Sequence, residues 1–386
     1  MTTAHSPVIV SARRTPVGTA GHGLRSLTVD ALAAAVLTPV AEDVAGLGLD
    51  VDDVILGNCL GPGGNIARVA ALRAKMGESV PGVTVDRQCG SGLDAILQGA
   101  SRVAAGDAEL VLAGGAESAS TAPWRMWPPA GDTPAHRYTR APFAPNGFPD
   151  PEMGPAADAL AARLGISRER QDAWAARSHR RALAAQTAGL FAAELVSVGG
   201  LDHDERPRAG LDERRLSRLR AAFAPTSDGL TGTATAGNSC GISDGAAVTA
   251  ITTERHRVSA GLPGLRVIAS AVAGSDPALP GIGAIPAIRK ALQRSDVGVP
   301  DIGAVEITEA FASQIIAAVD DLGFDENIVC ADGGAIAYGH PWGASGAILV
   351  TRLFTRMLAP AGPAVGLAAC AIGGGQGIAL IVERVR

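Results

Sequence analysis

Residues 88–103, QCGSGLDAILQGASRV, and residues 333–354, GGAIAYGHPWGASGAILVTRLF, follow one plan: a glycine-rich turn carrying a reactive side chain, then an amphipathic, alanine-rich helix. The first turn carries Cys89 and the second His340. The surrounding segments repeat in the same order. LRVIASAVAG (265–274) answers VIVSARRTP (8–16), AVEITEAF (304–311) answers DVILGN (53–58), and VGLAACAIGGGQ (365–376) answers LVLAGGAES (110–118). Buried-strand runs alternating with helical segments predict an α/β fold, and the repeat predicts two similar halves.

Between the copies the rhythm breaks. Residues 119–155 are dense in proline and read as an irregular excursion. Residues 156–189 read as helical, and the charged stretch LDHDERPRAGLDERRLSRLR (201–220) reads as a solvated face. The division expected is therefore 1–118 with 244–264 for the first half, 119–243 for an insertion, and 265–386 for the second half.

The chain has 386 residues, 47% of them apolar and 3% aromatic, enough for a large core built from small side chains. Its net charge of −5, with no run of Lys and Arg interleaved with aromatics, argues against a nucleic-acid partner. No signal-peptide pattern opens it, and no apolar run has the length of a membrane span, so a soluble cytoplasmic protein without a membrane partner is expected. The five cysteines, Cys59, Cys89, Cys240, Cys330 and Cys370, are scattered without zinc spacing and read as reduced thiols, with no metal site.

A thiol at Cys89 ends a strand and opens a helix, where free N–H groups and the helix dipole favour a thiolate. His340, held between Gly339 and Pro341, is a plausible base for such a nucleophile. Other motifs fail. GGGQG (373–377) runs into a strand rather than a helix, so it is no dinucleotide fingerprint, and neither CGSG nor GASG is the G-x-S-x-G of a hydrolase elbow.

Together CGSG at Cys89, GGAIAYGHPWGASG at His340, CAIGGGQG, TAGNSCGISDGAA (235–247) and the opening VIVSARRTPVG resemble the thiolase family over nearly the whole chain. The resemblance implies a thiolase fold: two βαβαβαββ halves forming a five-layered α/β/α/β/α core, with an inserted loop domain that helps bind coenzyme A. It implies a homodimer or homotetramer and a CoA-dependent acyltransferase using acyl-CoA as substrate, with no covalently bound cofactor. Cys89 would carry the acyl group and His340 would activate it. The N–H groups of Cys89 and Gly373 would form an oxyanion hole, and Arg208 in DERPR would contact the CoA nucleotide. The acyl group would pass to CoA, as in 3-ketoacyl-CoA thiolysis, or to a carbon acceptor in a Claisen condensation.

Four positions depart from the family pattern. Thr308 stands where an asparagine holds a water, Glu152 where a histidine lines the acyl pocket, and Cys240 where a serine lies near the pantetheine. Counting back from Gly373, the family's second, proton-transferring cysteine falls on Ala371, and Cys370 lies one residue early. On a strand that shift turns the side chain to the other face unless a bulge re-aims it. Otherwise the α-proton step falls to His340, Glu152, a water or the acceptor, or does not occur. Two alternatives to ordinary thiolysis stay open: an acyltransferase lacking that step, and a weakly catalytic CoA-ester binding subunit working with a partner protein.

Overall fold

Strands buried on both faces show no polar alternation, and this chain's central strands are of that kind: every position of Leu110–Ser118 and of Ser243–Thr253 is buried. A computed structural model describes residues 5–223 and 231–386; residues 1–4 of the expected first half and 224–230 of the expected insertion lie outside the described residues. Its strands are β1 (Pro7–Arg14), β2 (Gly18–Thr19), β3 (Asp53–Gly57), β4 (Gly82–Val85), β5 (Leu110–Ser118), β6 (Arg125–Trp127), β7 (His136–Tyr138), β8 (Ser243–Thr253), β9 (Gly264–Gly274), β10 (Ala304–Ile307), β11 (Val365–Ile372) and β12 (Gln376–Val385). Its helices are α1 (Val29–Asp43), α2 (Ile66–Arg73), α3 (Ser91–Ala105), α4 (Met153–Leu164), α5 (Arg168–Thr187), α6 (Glu213–Leu216), α7 (Glu254–Ala260), α8 (Ala284–Gln293), α9 (Ala312–Leu322), α10 (Ala335–Tyr338) and α11 (Trp342–Leu358).

The strand order β4-β3-β5-β8-β1 continues into β9-β12-β11-β10 through a short antiparallel contact, Val8 with Arg266 and Ile9 with Leu265. Pairings on the two sides correspond. The parallel β3/β5 pair matches β10/β11, antiparallel β5/β8 matches β11/β12, and antiparallel β8/β1 matches β12/β9. The repeat in the sequence is thus a repeat in topology.

Three apolar clusters separate the layers. Ile96 of α3 and Ile348 of α11 pack between the half-sheets with Ile251 and Leu380. On one outer side, Val36 of α1 and Ala70 of α2 cover Val54 and Leu112. On the other, Ile288 of α8 and Ile315 of α9 cover Val305 and Ile381. The result is the five-layered α/β/α/β/α arrangement. The inner helices touch through glycine, since a Cβ on Gly92 would come within 2.8 Å of the Gly343 carbonyl oxygen and one on Gly346 would strike the backbone of Leu93. Close approach of these backbones sets the two helix N-termini side by side.

Within the expected insertion, residues 119–155 hold the short β6/β7 hairpin, paired from Arg125–Tyr138 to Trp127–His136, and the first residues of α4. The helical stretch is two helices, parted where Gly165 takes a left-handed φ of 65° and Ser167 caps α5 by accepting from the Arg170 N–H. The charged stretch departs from the expected solvated face at Asp204, which is buried because it accepts from Arg14 at 2.7 Å. Arg14 also meets Glu194 at 2.7 Å, and Glu194 meets Arg352 of α11 at 3.0 Å, so a buried ion network binds the insertion to both halves. Each charge in it has a partner, which is the condition for burying it.

Candidate active site

The turn before α3 is built to hold a side chain still. Gln88 adopts a positive φ of 42°, a strained conformation for a non-glycine residue directly before the nucleophile. The Ser91 hydroxyl donates to the Gln88 carbonyl at 2.7 Å and accepts from the Arg87 N–H at 2.8 Å, closing the turn. Cys89 is half-buried. Burial pushes its thiol above the ordinary range, and the neighbouring Cys370 and Cys240 push in the same direction. The backbone N–H groups of Cys89 and Gly373 act against that shift, because both favour negative charge on the Cys89 sulfur.

His340 is buried at the N-terminus of the adjacent α11. Gly339 before it has a φ of 113° and faces the Ser243 hydroxyl where a Cβ would clash, so glycine is required there. The Nδ1 atom lies 2.5 Å from the Ser345 hydroxyl, and that hydroxyl donates to the Pro341 carbonyl at 3.0 Å. Having spent its proton, Ser345 can only accept, which assigns the imidazole proton to Nδ1 and leaves a lone pair on Nε2. Nε2 is buried without a protein partner. Burial pulls the histidine down to about 3, so it is neutral near pH 7. The site is a neutral thiol and a neutral base, poised for proton transfer as the thiol attacks rather than a preformed ion pair.

Glu117, at the end of β5, joins the two halves beside these residues. Its carboxylate accepts from the N–H groups of Cys59, Leu60 and Gly343 at 3.0 to 3.1 Å and from the Asn58 amide at 2.9 Å. It fixes the first turn of α11 against the 58–60 loop.

Around β11 the strand alternation holds. Cys370 pairs with Ile378, Ala371 with Gly377 and Ile372 with Gln376, without the bulge that would re-aim a side chain. Cys370 and Ile372 face the inner helical layer, whereas the half-buried Ala371 packs on the outer cluster. The Cys370 sulfur is fully buried, lies 3.3 Å from the Thr308 hydroxyl, and is pushed up to about 12 by burial. It neighbours Cys89 closely enough to raise that thiol, so Cys370 rather than Ala371 lies on the face toward Cys89, without the bulge that the one-residue shift was expected to need. Thr308 is held from the following residue, since the Glu309 carboxylate accepts from Trp174 and Ser178 of α5 at 2.7 Å each.

Other candidates are placed differently. Glu152 does not line the site: its carboxyl is 69% exposed and pairs with Arg140 at 3.0 Å, because its position just ahead of α4 turns it outward. Cys240 lies between the two reactive segments, its N–H bonded to the Ala310 carbonyl at 3.0 Å and residue 242 bridged to His340. Burial pushes its thiol up to about 12, and Arg206 pulls the other way. Arg208 is exposed, bonded through its N–H to His179 Nδ1 at 3.2 Å, and has no carboxylate partner among the described residues. Arg206 packs against Gly241 with its Nε unpartnered, and burial with Arg206 and Arg208 pulls His179 down to about 4. Ser345, Glu117 and Arg206 escaped the sequence reading. Only Ser345 left a trace, as the serine of the GASG that opens α11.

The thiolase N-terminal domain profile matches residues 7–255 and the thiolase C-terminal domain profile residues 263–384. Acetyl-CoA acetyltransferases of Pseudomonas aeruginosa and Escherichia coli are each 40% identical to the chain, over 98% of its length and 99% of theirs. The crystal structure of the Bacillus anthracis acetyl-CoA acetyltransferase superposes with a TM-score of 0.90 at 34% identity, covering 100% of both chains. The chain belongs to the thiolase family.

Proposed function

We propose that this CoA-dependent acyltransferase of the thiolase type carries its acyl group on Cys89, with His340 as the base. As the Cys89 sulfur attacks the thioester carbonyl, its proton passes to Nε2 of His340. Negative charge then develops on the carbonyl oxygen, opposite the N–H groups of Cys89 and Gly373. Collapse breaks the carbon–sulfur bond to CoA, the leaving thiolate takes the proton from His340, and an acyl-Cys89 thioester remains. In thiolysis a CoA thiol, deprotonated by the same imidazole, attacks this thioester; in condensation a carbanion does. The observation that carries this reading is the His340–Ser345 pair, which leaves an unpartnered basic nitrogen at the helix end beside the thiol.

The acyl-CoA is held, on this reading, by the inserted segment 119–243, with Arg208 and Arg206 as cations for the CoA phosphates. Their lack of carboxylate partners among the described residues supports it. Acetyl-CoA and acetoacetyl-CoA are the first substrates to test, given the names of the relatives. No helix among the described residues is long and apolar enough to cross a membrane; the unpaired cysteines support a cytoplasmic setting. Trp124, Met126, Trp127 and Phe148 of the excursion are exposed, which supports a homo-oligomer burying that hairpin, checked by light scattering.

The α-proton step is assigned to His340, because Ala371 offers no thiol and the Cys370 thiol, pushed up to about 12, is a weak acid, whereas Nε2 of His340 has no hydrogen-bond partner among the described residues. Ala371 also favours a second reading, an acyltransferase that omits this step. Mass spectrometry of protein mixed with acetyl-CoA should show an acetyl adduct on Cys89, absent in Cys89→Ala. No adduct with any acyl-CoA would sink the proposal. Acetoacetyl-CoA thiolysis should persist in Cys370→Ala within about tenfold, since losing a general acid–base group costs roughly 10²–10⁴-fold. A loss of that larger size would return proton transfer to Cys370, and an adduct without thiolysis in the unaltered protein would select the second reading.

A further inference from the structure

Gly373 is glycine for want of room. A Cβ there would meet the Phe143 ring at 2.6 Å (Cε2) and 2.7 Å (Cδ2), and one on Gly374 would lie 2.9 Å from the Phe143 carbonyl oxygen. Phe143 of the proline-rich excursion thus rests on the peptide whose N–H faces the Cys89 sulfur. It is braced from behind. Its own N–H donates to Asp150 at 3.2 Å, and the Arg140 guanidinium lies 4.8 Å from the ring centroid. Arg140 in turn donates to Asp150 at 2.8 Å and to Glu152 at 3.0 Å. The carboxylate at the position where the family carries a pocket histidine is thereby tied into a strap over the site. A half-buried ring with a glycine turn on one side and a cation on the other has little freedom to move.

We propose that Phe143 is a specificity-determining wall of the acyl site, restricting the group on Cys89 to short chains, and that Arg140 is a positioning residue that holds the ring in place. This rests on the acyl-carrying role of Cys89. A rigid apolar ring on the Gly373 turn, whose neighbour Ile372 packs against Gly90 beside Cys89, stops an extending chain. In an apolar pocket one methylene more or fewer changes discrimination by roughly 10- to 200-fold.

The test reads pocket size without coenzyme A. Methyl and hexyl methanethiosulfonate are reacted with the full chain, and the rate of modification at Cys89 is followed by peptide mass spectrometry. In Phe143→Ala the hexyl-to-methyl rate ratio should rise at least about tenfold, and in Arg140→Met it should rise less. An unchanged ratio in Phe143→Ala of native circular dichroism overturns the proposal. If that variant fails to fold, Phe143→Leu makes the same comparison, and an unchanged ratio there is equally fatal. Acetyl-CoA adduct formation is measured in parallel. Its absence beside a shifted ratio would refute the acyltransferase reading of Cys89 and leave the wall standing as a barrier to long chains at that thiol.

Discussion

Replacing Ser345 with alanine tests how the base is prepared. In the native site the Nδ1 proton of His340 has an acceptor 2.5 Å away, and Nε2 has none. Without the hydroxyl, a buried Nδ1–H goes unsatisfied, at a cost of about 1–3 kcal/mol. The imidazole then loses its preference for the tautomer with a basic Nε2. With that preference gone the two tautomers become comparable, so the productive fraction falls from near one to about half, and kcat/KM for acylation of Cys89 by acetyl-CoA should fall about twofold. The assay is single-turnover acylation followed by rapid quench and mass spectrometry. A merely structural serine could also lower the rate, so the cycle with His340→Asn decides. That variant alone should lose roughly 10²–10⁴-fold, and adding Ser345→Ala to it should cost almost nothing, because the serine acts through the imidazole. Wild-type kcat/KM in Ser345→Ala, or losses that multiply in the double variant, would refute the reasoning.

The free enzyme should show a flat pH profile for acylation between pH 5 and 9, since His340 stays neutral above about 3 and burial keeps Cys89 protonated throughout; a bell centred near neutrality would mean an ion pair instead. Glu306 of β10 is fully buried with neither oxygen hydrogen-bonded, and burial pushes it up to about 8 against the pull of Arg352 and Arg356, with Asp332 and Glu309 adding to the rise. Its folded pKa is raised, so its contribution is intact below about 4.5 and is lost as pH climbs toward 8, by ~1.4 kcal/mol per unit. Urea melts should therefore show Glu306→Gln gaining on the unaltered protein with rising pH over that window, and a pH-independent difference would contradict the assignment.

The fold was legible because its evidence is local and repeated. A glycine-rich turn feeding a helix, met twice with matching strands around it, dictates the paired topology that β1/β9, β3/β10 and β5/β11 display. Cys89 and His340 became candidates for the same reason, as the matching residues at the glycine-rich turns of the two copies. The contacts that prepare them were less so. Ser345 looked like a helix opener because a hydroxyl's partner is set by the turn geometry of Pro341, and Glu117 looked like the end of a strand because its four donors come from two separate segments. Asp204 and Glu152 were misplaced in opposite directions. Composition suggested a solvated stretch for the first and a pocket position for the second, whereas ion partners distant or near in sequence, Arg14 and Arg140, drew one inward and the other outward.

Cys370 shows what register alone decides. One residue separates it from Ala371, and the unbroken β11/β12 ladder converts that step into a change of layer. The inner face it reaches is the one that carries Cys89, so the two thiols are neighbours. A neighbour in that position raises the Cys89 thiol. On the proposed reading the proton traffic therefore falls to His340, whose buried Nε2 has no hydrogen-bond partner among the described residues.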